Sequence, residues 1–259
     1  MYEILNQQQI QSFITDGFVR IENAFSAELA TEVRKILWKD LPGNSSNSDT
    51  WTQSVVRLGM YNQEAFIKAA NSDVLCGAFN QLVGKDNWIP CRSMGTFPIR
   101  FPSANDPGDT GWHVDASFPG TYPNDYFGWR INVKSKGRAL LMLFLFSDVT
   151  EVDAPTRILK GSHIDIVRLL KSEGDAGLSF MELATKLPGL SGKEEVQAMG
   201  KAGTVYLCHP FLVHGAQQHR GTEPRFLAQP PLLLRNDFEI EGKEYYHPVE
   251  EAIRIGLHL

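Results

Sequence analysis

Cysteine is scarce. The three in this 259-residue chain, Cys76, Cys91 and Cys208, show no Cys-x-x-Cys spacing, which excludes a disulfide framework and argues against a zinc knuckle. They read as the reduced thiols of a cytoplasmic protein. Positive charge is in short supply too: 25 lysines and arginines stand against 30 aspartates and glutamates, a formal net charge of -5. No Lys/Arg cluster breaks that balance, so a nucleic-acid backbone would be repelled and no such partner is expected. Long apolar runs are missing as well. The most apolar segment, Ala139 to Phe146, is far below the ~20 residues of a membrane-spanning helix and is followed by polar Ser147-Asp148. It reads as a buried strand, and no membrane association is expected. The opening Met1-Tyr2-Glu3-Ile4 has no basic stretch leading into an apolar one, so no secretory leader is expected. Internal repeats and low-complexity tracts are also absent, which excludes solenoids and linkers.

What is present suits a globular protein with a small-molecule ligand: 42% of the residues are hydrophobic, too many for a disordered chain. A single domain over 1–259 is expected, and nothing in the sequence fixes an oligomeric state. Its N-terminal part, about 1–90, is helical in texture. Ile10, Phe13 and Ile14 fall at helical spacing, with Gly17 as a stop, and Phe18-Val19-Arg20-Ile21 alternates like a short strand. Ser26 is placed to cap a second helix with the stripe Leu29, Val33, Ile36 and Leu37. Gly43 to Asp49 is polar and turn-forming, a surface loop or lid. Val74, Leu75, Phe79 and Leu82 form another helical face ending at Gly84.

From 91 to about 235 the texture changes to short apolar or alternating runs between Gly, Pro, Asn and Asp, the pattern of a sandwich or barrel. Strands are expected at 95–101, 111–116, 139–147, 155–159, 203–208, 211–216 and 225–234. A helical insertion, about 163–190, interrupts them with apolar faces at Ile166, Leu169 and Leu170 and at Phe180, Leu183 and Leu187.

Three residues in these strands suit a metal. His113 and Asp115 are two apart, and on a strand residues i and i+2 project to the same face. A second strand-like run brings His214, completing two imidazoles and one carboxylate on one face of an ion. Iron(II) prefers six ligands, so such a set leaves three positions open. A His-x-Asp pair alone is common and usually structural; Arg225, eleven residues after His214, adds a planar fork suited to a carboxylate. The residues by themselves leave open a cupin-type oxygenase that needs no 2-oxo acid, with Arg225 structural. They equally leave open a non-catalytic ligand-binding or sensing barrel.

The spacing His113-x-Asp115, His214, Arg225 resembles the phytanoyl-CoA dioxygenase family of iron(II)/2-oxoglutarate-dependent oxygenases. The run Phe146 to His163, with its acidic turn Asp148 to Asp153 and its Gly161-Ser162-His163 signature, is similar to that family's central segment. The opening Asp16-Gly17-Phe18-Val19 agrees, so the resemblance covers most of the chain. It implies a mainly β fold with flanking helices, a distorted double-stranded β-helix of the jelly-roll or cupin-like kind, with the metal at one open end. It implies Fe(II) held by His113, Asp115 and His214, 2-oxoglutarate as cosubstrate with its distal carboxylate on Arg225, and O2 as oxidant. The implied reaction is hydroxylation of an unactivated C–H bond with release of succinate and CO2; Asp115 favours this over halogenation, because halogenating relatives usually carry a small residue there. One position departs from the pattern. Two residues beyond the distal histidine several relatives carry a serine that supports the arginine, and here it is Ala216. Thr156 is a candidate replacement donor.

Other polar residues are expected to play structural parts. His209 lies on the same run as His214 but only one of the two can face inward. His163 is expected to be structural, His219 and His247 solvated, and Arg100 in a surface ion pair, with an approach to a cosubstrate or substrate carboxylate as its alternative. Trp112, Phe118 and Trp129 flank the first two ligands as pocket lining or core.

Overall fold

The computed structural model describes residues 4–190 and 192–259. The N-terminal part follows its sequence signals closely. Helix α1 (Gln7–Asp16) begins with a capping box between Asn6 and Gln9 and ends at Gly17. Gly17 has φ 88°, and a Cβ there would stand 2.5 Å from the His163 ring, so the position demands glycine twice over. Strand β1 (Phe18–Ile21) leads to α2 (Ala27–Leu37), whose Ser26 cap accepts from the Leu29 N–H. Next come β2 (Val55–Leu58), α3 (Glu64–Ala70) and α4 (Asp73–Val83), the last stopping at Gly84 as expected.

The barrel part opens with β3 (Trp88–Ile89), β4 (Phe97–Arg100), β5 (Arg130–Ile131) and β6 (Arg138–Leu145). Strand β7 (Thr156–Leu159) is followed by the helical insertion: α5 (Ser162–Leu170), β8 (Leu178–Ser179) and α6 (Phe180–Lys186). Then come β9 (Glu195–Ala198), β10 (Val205–Cys208), β11 (His214–Gly215), β12 (Leu227–Ala228), β13 (Pro231–Leu234) and helix α7 (Pro248–Leu257).

Two larger antiparallel sheets result, with the two-stranded pairs β2-β4 and β5-β8 beside them. The larger runs β1-β10-β6-β13-β3 with β12 also on β6; the smaller runs β11-β7-β9. All eight residues of β6 are buried, and they divide the core. Leu140, Met142 and Phe144 join the large cluster shared with the N-terminal helices, whereas Leu141, Leu143 and Leu145 pack with Ile158 of β7 and Ala198 of β9. Burial on both faces explains why this strand reads as a continuous apolar run and not as an alternation. Among the described residues no helix is long and apolar enough to cross a membrane.

Several expected strands are altered. Residues 111–116 form only an isolated bridge at His113, and 211–216 shortens to β11. The run 225–234 breaks in two at Gln229-Pro230, because Pro230 and Pro231 lack the N–H that a continuous ladder requires. Strands β2, β3, β5, β8 and β9 and helices α3 and α7 add to the expected elements.

His163 is structural, as its position suggests. It is fully buried and its Nε2 faces the Ile14 carbonyl oxygen at 3.0 Å. Burial pushes its pKa down to about 4. An unfolded histidine titrates near ~6.5, so between these values the folded state binds fewer protons than the unfolded one. Stability is full above the upper value and falls as pH drops toward the lower, by on the order of 3 kcal/mol from this group. Melting followed by circular dichroism should show this decline between neutral and acidic pH, and His163→Gln should make it less steep, the other buried histidines keeping the rest. An equally steep profile in that variant contradicts the assignment.

Candidate metal centre

The site begins with a backbone pairing. The His113 N–H donates to the His214 carbonyl at 2.9 Å and the His214 N–H donates to the His113 carbonyl at 3.0 Å. Residues opposed in this way project to one face, and the two imidazoles lie with ring centroids 4.3 Å apart. Asp115, two residues on, joins them. Its Oδ1 stands 3.9 Å from His113 Nε2 and 3.8 Å from His214 Nε2, and one ligand atom from each residue lies within 4.8 Å of the others.

Both imidazoles are oriented by their second nitrogens. His113 Nδ1 faces the Gly111 carbonyl and His214 Nδ1 the Leu212 carbonyl, each at 3.1 Å. An Nδ1–H donated there leaves the Nε2 lone pair for a metal. Burial pushes the His214 pKa down to about 4, helped by the neighbouring His113, so the ring is neutral and ligand-competent at neutral pH. Burial by itself would raise the Asp115 carboxyl, but Arg138, His214 and His113 hold it at about 2. Adjacent donors on an octahedral ion with bonds of about 2.1 Å stand ~3 Å apart, so closing the set requires shifts of under ~1 Å. Two imidazoles and a carboxylate without thiolate suit iron(II), with three positions left over.

The ligand segment is held by Arg157. Its Nε donates to the Ala216 carbonyl at 3.1 Å, its Nη2 to the Thr110 carbonyl at 2.5 Å, and its guanidinium lies 4.3 Å from the centre of the Trp112 ring. Arg157 thus ties the segment that leads into His113 to the one that follows His214. Gly215 permits the approach, since a Cβ there would lie 3.2 Å from the Gly111 carbonyl oxygen.

Two other residues come closer to the centre than the sequence suggested. The Arg138 Nη1 donates to Asp115 Oδ2 at 3.0 Å, and the Tyr126 hydroxyl donates to Asp115 Oδ1 at 3.4 Å. Phe180 of the insertion packs on His113 with ring centroids 5.7 Å apart and on Tyr126 at 5.5 Å. The signal for Arg138 was its place, directly before the most apolar run of the chain, Ala139 to Phe146.

Arg225 is fully buried and lies opposite Arg100. The two exchange backbone hydrogen bonds at 3.2 and 2.8 Å. The Arg225 Nη1 donates to the Ala154 carbonyl and its Nη2 to the Pro98 carbonyl at 3.2 Å, while Nε has no partner. Burial, with Arg100 beside it, pushes its pKa down to about 9. Arg100 itself corrects an expectation: it is not in a surface ion pair but is 2% exposed, with Nη2 on both oxygens of Asp109 at 2.7 Å. Asp109 also pairs with Arg57. Among the described residues Arg225 has no carboxylate partner, so the buried pair carries excess positive charge.

His209 is excluded from the metal set. It is buried against His163, at 4.9 Å between ring centroids, and against Phe211 at 5.1 Å. His219 differs from its expected solvated state, being 3% exposed with its Nδ1 accepting from the Gly221 N–H at 3.1 Å. His247 also departs from it: half-buried, it packs edge-on against Tyr245 and starts α7. Thr156 is buried on β7, between Ala154 at the Arg225 guanidinium and Ile158 opposite His214.

The chain belongs to the phytanoyl-CoA dioxygenase (PhyH) family, whose model matches residues 13–227. Solved structures of similar fold include SnoK, a non-haem α-ketoglutarate-dependent carbocyclase from nogalamycin biosynthesis. It is 16% identical, with TM-score 0.57, 89% of this chain and 84% of that one covered. HygX from Streptomyces hygroscopicus, with nickel, 2-oxoglutarate and hygromycin B bound, is 16% identical, with TM-score 0.54 and coverage of 87% and 86%. The epimerase SnoN, in complex with Fe3+, α-ketoglutarate and nogalamycin RO, is 17% identical, with TM-score 0.58 and coverage of 88% and 82%. No curated protein matches the sequence.

Removing the Arg157 staple should loosen the ligand segment. Arg157→Met deletes two charge-assisted hydrogen bonds and a cation–π contact and is expected to lower stability by about 2 kcal/mol in urea titrations. An unchanged midpoint contradicts this account of how the two ligand strands are joined.

Proposed function

We propose that the protein is an Fe(II)/2-oxoglutarate-dependent oxygenase that hydroxylates an unactivated C–H bond of a small metabolite, with release of succinate and CO2. The observation that carries the reading is the convergence of His113 Nε2, His214 Nε2 and Asp115 Oδ1 on one point. Three donors leave room for a bidentate cosubstrate and for O2. We further infer that the two sheets form the distorted double-stranded β-helix of this family, as one oxygenase domain over 1–259, with the site at its open end.

Bound iron and 2-oxoglutarate supply the oxidising power; the chain's own residues supply position and a dry cavity. Arg225 receives the distal carboxylate. The excess charge it shares with Arg100 supports this role, because a buried cation without a counter-ion is costly unless an anion arrives. Distance is compatible as well. From Ala154, whose carbonyl accepts from Arg225, to Ile158, opposite His214, the chain spans at most ~13 Å at ~3.3 Å per residue, and Thr156 lies midway. On this reading Thr156 is assigned the part that Ala216 cannot take, its burial midway along that span supporting the assignment. Tyr126, Phe127 and Phe180 form an aromatic wall beside His113 and are assigned to exclude water and orient the substrate. The formal net charge of -5 disfavours a carrier as phosphate-rich as coenzyme A, so a free metabolite is the proposed substrate class.

Anaerobic addition of iron(II) and 2-oxoglutarate should produce a weak visible charge-transfer band, and a substrate screen should reveal compounds that stimulate succinate formation. Asp115→Ala should abolish both while the chain stays folded. Arg225→Ala should raise the half-saturating 2-oxoglutarate concentration by roughly 10–100-fold. Turnover without 2-oxoglutarate would instead support a cupin-type oxygenase, and metal binding without any turnover a sensing barrel.

A further inference from the structure

Arg138 has no part in the reading above, yet among the described residues it is the arginine that bonds a carboxylate of the proposed centre. It starts β6, the central strand of the large sheet, and is 8% exposed. Its guanidinium works as a fork. Nη1 donates to Asp115 Oδ2 at 3.0 Å and Nη2 donates to the carbonyl of the following residue, Ala116, at 3.1 Å. The two oxygens of Asp115 are thereby given different surroundings. Oδ1 faces the imidazoles and the Tyr126 hydroxyl, and Oδ2 faces the guanidinium.

We infer that Arg138 is a positioning residue that holds Asp115 to one-oxygen ligation and so preserves a coordination position for dioxygen. The inference rests on the Fe(II)/2-oxoglutarate reading and extends it by counting positions. A six-coordinate ion with two imidazoles, one carboxylate oxygen and a bidentate 2-oxo acid has one position left. A carboxylate is free to bind with both oxygens unless one is engaged elsewhere, and two-oxygen ligation would fill that last position. A charge-assisted hydrogen bond from a planar fork is a strong way to engage it, because guanidinium geometry fixes the carboxylate's rotation as well as its distance. The Ala116 arm fixes the guanidinium in turn, tying it to the same short segment as the ligand. The other end of the arginine is anchored in a strand with neighbours on both edges, β10 on one and β12 and β13 on the other.

The test uses nitric oxide as a dioxygen mimic on the full-length protein loaded anaerobically with iron(II) and 2-oxoglutarate. Wild type should take up nitric oxide and give the paramagnetic resonance signal of a quartet iron–nitrosyl. Arg138→Met, of similar length but without donors, should retain the visible iron–2-oxoglutarate band and lose roughly tenfold or more in nitric oxide affinity. Arg138→Lys, which keeps one charged donor, should recover much of it. If Arg138→Met does not melt cooperatively, Arg138→Gln takes its place. A crystal structure of the nickel-loaded variant should show both Asp115 oxygens on the metal. Undiminished nitric oxide affinity in a folded variant, or one-oxygen ligation there, overturns the inference. Failure of wild type to form the visible band would instead overturn the iron and 2-oxoglutarate reading on which it rests.

Discussion

The mutual hydrogen bonding of His113 and His214 is the constraint on which the centre depends. Two backbone bonds of 2.9 and 3.0 Å bring residues about a hundred positions apart into direct opposition, and the imidazoles then share a face without further instruction. His214 is in turn paired to Ile158 on β7, so the same few residues join the centre to the smaller sheet. Asp115 needs only an extended backbone to follow His113. Such a site is built on ladder geometry with little regular strand, which is why small features matter there: Gly215 admits the Gly111 carbonyl, and Arg157 ties the two ligand segments together.

Buried cations form the second layer of the design. Arg138, Arg100 and Arg225 all lie inside the protein, and two carboxylates, Asp115 and Asp109, face them. Taking charges out of water is expensive, and a buried pair returns that cost only with good geometry. Arg138 and Arg100 each meet a carboxylate. Among the described residues Arg225 meets none, its Nη groups bonding only to the Ala154 and Pro98 carbonyls, and the dianionic cosubstrate proposed above would supply the missing charge.

Much of this was legible in the sequence, for identifiable reasons. Helices α1, α2 and α4 carry both an apolar stripe and a capping residue, and β6 is an apolar run with polar ends, so each was recognisable. The triad was legible because period-two spacing survives even where only a bridge forms. Helix α7, with Val249, Ile253 and Leu257 at four-residue spacing, was as readable as α2, although the expectations stop short of it. Other features depended on tertiary placement. Nothing local separates Arg100 from a surface arginine; its burial follows from pairing with Arg225, more than a hundred residues away. His219 is similar, enclosed by contacts that a polar-looking segment does not announce. Short α3, only seven residues long, has too few turns to show a clear period.

The most direct test of the central claim is a crystal structure of the protein with iron(II) and 2-oxoglutarate, prepared without oxygen and measured across the iron absorption edge. The account predicts one anomalous peak about 2.1 Å from His113 Nε2, His214 Nε2 and Asp115 Oδ1, with the cosubstrate chelating it and its distal carboxylate on Arg225. A metal peak elsewhere, or a cosubstrate carboxylate directed away from Arg225, would contradict it.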